Sequence, residues 1–129
     1  MRSNDEIDAF EKVIGQLNML IKDFYDLSKK KPSETVNIFK LSLVNAILEK
    51  INTIIDESDK PFLSFSEFSE DELPFNSDVL VVLNQYHECS RMFAEKNIEK
   101  FSHITYWVIN NERTSRSVSI NKLFGDWYE

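Results

Sequence analysis

His87, Glu88 and Cys89 have the widest chemical reach in this sequence, and His103 is the second of its 2 histidines. Imidazole and thiolate bind zinc, and they can also pair as base and nucleophile. Two positions apart on a helix, however, His87 and Cys89 diverge by about 200°. None of the usual zinc spacings occurs. The pattern predicts no metal site and no Cys–His catalysis, with His87 at the surface beside a buried, structural Cys89.

Carboxylates are plentiful, which makes their clustering weak evidence for acid–base work. Asp56, Glu57 and Asp59, or Glu70, Asp71 and Glu72, offer cation ligands but lack the spacing and glycine of an EF-hand loop. With 2 glycines, at positions 15 and 125, the chain holds no Walker loop, dinucleotide fingerprint or nucleophile elbow. No cofactor motif is present, and the sequence predicts a protein that is not an enzyme. A basic and aromatic group, Tyr106, Trp107, Arg113, Arg116 and Lys122, has residue types that stack on single-stranded nucleic acid. Trp107 in the core and arginines on a hairpin loop account for it better.

The elements that position these residues begin with a clear helix. Ile7, Phe10, Ile14, Leu17, Ile21 and Phe24 recur at spacings of 3, 4, 3, 4 and 3, one stripe of a helix over about residues 4–29. Val13, Leu20 and Leu27 widen that stripe to a core-facing bundle helix. Ser3 and Glu6 form a capping box, Lys29–Lys31 suit the negative end of the dipole, and Pro32 stops the helix. Gly15, inside it, predicts a close approach by a neighbouring helix. A second helix is expected from a Ser33 cap, with apolar residues from Val36 to Ile55 around more than half its circumference. Lys40, Asn45, Glu49 and Asn52 form its wet side. Such a helix is central in the domain or keeps a second face for a partner.

Residues 56–76 break the periodicity. Phe62, Phe65 and Phe68, three apart, suit a short helical turn, and two prolines interrupt the rest. Asn76 or Ser77 then caps a third helix to about residue 100, burying Val79, Val82, Leu83, Tyr86, Cys89 and Phe93, with Phe101 near its end. Ile104 to Ile109 is entirely β-branched or aromatic, and Asn110-Asn111 suits a turn to a return strand through Val118 and Ile120. A fourth helix is the competing assignment, since Phe101, Ile104 and Val108 also fit a helical stripe. Leu123, Phe124, Trp127 and Tyr128 make the tail apolar enough to dock. The predicted fold is mainly α, a single domain over 1–129: three long helices, an acidic aromatic connecting loop, and a small C-terminal β-hairpin or fourth helix.

Composition agrees with this class. The chain has 129 residues, one domain's length, and its 42% hydrophobic content suffices for a core. A lone cysteine excludes an internal disulfide, and a charged N-terminal segment is not a signal core. Val79 to Leu83 is the longest strictly aliphatic run, too short to span a membrane. A cytoplasmic location is expected.

Charge placement is the most informative feature. Asp56–Asp78 holds eight acids and one base, Lys60, and so carries the whole net charge of −7. Four phenylalanines share that segment, which a merely solvated loop does not need. The net charge argues against nucleic acid as a partner, because phosphate binding needs the opposite sign. The expected function is a non-enzymatic protein-binding module. Its partner-binding residues would be Asp56, Glu57, Asp59, Phe62, Phe65, Glu67, Phe68, Glu70, Asp71 and Glu72, set against a basic protein. Small size and acidity suit an immunity protein or antitoxin masking a nuclease-type toxin. A homo-oligomer built on the apolar faces of the first two helices is the alternative, and a small enzyme with a pocket of scattered carboxylates is the third.

Overall fold

The computed structural model describes residues 1–125. Helix α1 (Asn4–Lys30) follows the 3,4 stripe, and Ser3 caps it by accepting the Glu6 N–H at 3.1 Å. Every residue of the stripe is buried, and α1 packs against α2 (Ile38–Ile54), α3 (Asn76–Glu95) and α4 (Ile120–Phe124). The centre of the domain is therefore α1, not the more apolar α2. Gly15 faces open space: a Cβ there would meet nothing within 4 Å, so no neighbouring helix approaches it.

The second helix starts later than the Ser33 cap predicts. Residues 34–36 are extended instead, because another segment takes up their backbone groups. Val36 N–H donates to Pro74 O and Asn76 N–H to Glu34 O, both at 2.9 Å, with Thr35 bridged to Phe75. Asn37 becomes the cap, accepting from Lys40 N–H at 3.0 Å. The third helix also ends early. At Asn97 the side-chain amide donates to Phe93 O and the backbone carbonyl accepts from Val108 N–H, which converts the expected last helical turn into a strand.

Strands β1 (Ile98–Phe101), β2 (Ile104–Ile109) and β3 (Glu112–Ser117) form an antiparallel sheet in the order β1-β2-β3. The expected hairpin is thus replaced by a three-stranded sheet, whose first strand is taken from the expected end of the third helix. The return strand stops at Ser117, before Val118 and Ile120. Asn110-Asn111 makes the turn, both residues at positive φ as a tight two-residue hairpin requires. Ser102 and His103 turn β1 into β2 in the same way, with φ of 50° and 70°. A short α4 follows, so the C-terminal part is a three-stranded sheet plus a short helix, where a hairpin or a fourth helix was expected.

Phe10 joins the layers. Its ring lies 5.5 Å from Phe93 of α3, 5.8 Å from Trp107 of β2 and 6.2 Å from Phe124 of α4. The Trp107 contact is edge to face and the other two are tilted, and ring pairs of this kind add to the stabilisation from the area they bury. Phe124 is buried and Leu123 half-buried, whereas Trp127 and Tyr128 lie outside the described residues. Phe101, expected near the core, is exposed on the outer face of the sheet.

Candidate functional site

The segment between α2 and α3 is held down along its length by groups on α2. Asn45 Oδ1 accepts from Phe68 N–H at 2.8 Å, and Asn45 Nδ2 donates to Phe68 O at 2.9 Å. One side chain thereby satisfies both backbone groups of the residue opposite, as a neighbouring strand would. Asn52 Nδ2 donates to Ser66 O at 3.3 Å, and its Oδ1 accepts from Tyr86 OH at 3.1 Å. Asn45 and Asn52 therefore lie on the docking side of α2, not on a wet face, and Asn45 is buried. Two asparagines seven residues apart on one line of this largely apolar helix were the available sequence signal.

The phenylalanines assist. Phe62, Phe65 and Phe68 are half-buried against the core and stacked edge to face, with centroids 5.8 and 5.0 Å apart. Their spacing of three places them side by side, although no regular helix forms there. The short 3-10 turn in this connection is Glu57–Asp59, upstream of them.

The acids divide into two groups. Near the end of α3, Asp59 pairs with Lys96 at 2.7 Å and Glu57 with Lys60 at 2.6 Å, while Asp56 is exposed. Beside α2, Glu67, Glu70, Asp71 and Glu72 are exposed and make no ion pair among the described residues. Asn45, Glu67, Phe68, Ser69, Glu70 and Asp71 line a shallow depression open to solvent. A surface of this form offers carboxylate oxygens to cationic donors.

The histidine and cysteine are the reverse of expectation. His87 is buried and Cys89 only half-buried. His87 Nε2 lies 3.0 Å from Asn18 Oδ1 and 2.9 Å from Phe124 O, two acceptors, so this nitrogen carries the proton. Burial lowers the imidazole pKa, and the bond to Phe124 O opposes that shift. At Cys89 burial pushes the thiol pKa up, with Glu88 and Asp59 adding to it, the opposite of an activated nucleophile. Among the described residues no group of three His, Cys, Asp or Glu is placed to hold a metal ion.

The basic and aromatic group does not form one surface. Trp107 is fully buried, and Arg116 is tied to Asp8 at 2.7 Å and Glu11 at 2.9 Å. Arg113 lies 4.0 Å over the Phe101 ring and 3.4 Å from Glu99. No described helix is long and apolar enough to cross a membrane. Compared with protein-family models, with curated proteins and with solved structures, the chain matches none.

Proposed function

We propose that this chain is a non-enzymatic protein-binding module whose acidic segment engages a basic partner protein in the cytoplasm, in the manner of an immunity protein or antitoxin covering the cationic cleft of a nuclease-type toxin. One observation supports it above the rest. The segment is fixed through its backbone and phenylalanines while Glu67, Glu70, Asp71 and Glu72 stay outside and unpaired among the described residues. A loop ordered in advance loses little entropy on binding. Clustered carboxylates steer a cationic partner and disfavour others. The immunity or antitoxin role is an analogy from charge and size.

The test reverses Glu70, Asp71 and Glu72 to lysine together. The basic protein that co-purifies under native conditions, identified by native mass spectrometry, serves as partner in stopped-flow association. The variant's rate should fall about tenfold or more at low salt, and its salt dependence should flatten. The reading is falsified if rate and salt dependence match those of the unaltered chain.

An oligomeric role has its own supporting observation. Phe39 and Leu43, one turn apart on α2, are exposed. Sedimentation showing a constitutive dimer that Leu43→Ser dissolves would favour that role.

A further inference from the structure

Exposed apolar residues gather beside the acids. Ile38, Phe39, Leu73 and Phe75 are exposed, whereas Phe62, Phe65 and Phe68 pack on the core. Backbone pairing of residues 34–36 with 74–76 brings the two pairs to one end of the molecule. Across the Thr35–Phe75 bridge side chains alternate, so Val36 turns inward, 1% exposed, and Phe75 outward. Ile38 shares with Asn45 and Asn52 the line of α2 that the acidic segment follows, and Phe39 is in the same turn. Glu70, Asp71 and Glu72 immediately precede Leu73. The result is an apolar patch with carboxylates on the side of Leu73, while exposed Lys40 follows Phe39 and Lys31, whose carbonyl accepts from Asn76, lies at the same end.

We infer that Ile38, Phe39, Leu73 and Phe75 are the apolar anchor of the partner surface, and that its occupant is a cationic amphipathic helix of the partner protein. This rests on the acidic segment being the partner surface, and it moves the anchor away from Phe62, Phe65 and Phe68. Lysine or arginine rows of such a helix meet Glu70–Glu72 while its apolar face covers the patch.

The test titrates the isotope-labelled full chain with two synthetic peptides of equal length and charge, followed by amide chemical shifts. One arranges leucine and lysine as an amphipathic helix; the other replaces every leucine with serine. The leucine peptide should bind about tenfold more tightly and shift the amides of Ile38, Phe39, Leu73 and Phe75 together with those of 70–72. The double variant Phe39→Ser, Phe75→Ser should abolish that difference and leave the weak binding of the serine peptide. Both replaced side chains are exposed, and position 75 is the uncapped start of α3, where serine is favoured. Equal binding of the two peptides, with shifts confined to 67–72, overturns the anchor and leaves the acidic surface standing. No shift at 70–72 with either peptide overturns the acidic surface and the anchor with it. Concentration-dependent dimerisation that Phe75→Ser abolishes assigns the patch to a second copy and overturns the proposal.

Discussion

Position 15 carries a glycine in the interior of a 27-residue helix, and nothing packs on it. Glycine there gives up about 1 kcal/mol of helix propensity relative to alanine with no packing benefit in return. Gly15→Ala should therefore stabilise the protein by up to about 1 kcal/mol, measured as a raised urea midpoint at unchanged slope. His87 makes the opposite kind of contribution. Its pKa is lowered in the folded protein by burial, so the unfolded chain binds the proton more readily. That stability is present above the ordinary imidazole pKa of about 6.5 and is lost as pH falls below it, levelling off below the folded-state value. Urea unfolding between pH 7 and pH 5 should show the loss, and His87→Gln, whose amide can donate in place of Nε2, should flatten it. A thiol that is only half-buried makes Cys89→Ser the milder substitution of the two.

Among the elements, the acidic segment depends on α2 for its conformation. Asn45→Ala would strip both partners from the Phe68 backbone and leave a donor and an acceptor to find water in a half-buried site. The expected loss is about 1–3 kcal/mol, with amide exchange at Phe68 accelerating before global unfolding does. Unchanged exchange there would mean that the phenylalanines alone fix the segment. The β1–β2 turn is a second local test. His103 sits at φ 70°, a region that side chains with a Cβ disfavour and glycine accepts. His103→Gly should raise the melting temperature, by an amount equivalent to at most about 1 kcal/mol.

At the scale of the whole molecule, the net charge of −7 resides in one segment, so like-charge repulsion is concentrated rather than spread. Replacing Glu70, Asp71 and Glu72 with lysine should leave the fold intact and raise the melting temperature slightly at low salt. The rise should vanish at high salt, because screening limits exposed charges to a reach of about 8 Å even at physiological ionic strength. Circular dichroism melts at two salt concentrations suffice. A lowered melting temperature at both would show that these carboxylates make structural contacts.

Much of this protein was legible in its sequence. Helix α1 was, because its stripe, its capping box and the proline beyond it are local signals that agree. So were the Asn110-Asn111 turn, whose residues tolerate positive φ, and the segment holding the net charge. Tertiary structure decided the rest. The start of α2 depends on residues 74–76, some forty positions away, which claim the backbone of 34–36 before a helix can. The end of α3 depends on β2, whose Val108 N–H is bonded to Asn97 O. Which of His87 and Cys89 is buried is likewise not a property of α3 alone. Both faces are polar enough for water and small enough for a core, and the choice falls to α4 and Asn18, which pack over His87 and supply its acceptors. The exposed apolar turn of α2 has the same origin. Periodicity specifies how many faces a helix can bury, while the number of neighbours that arrive to cover them is set by the whole chain.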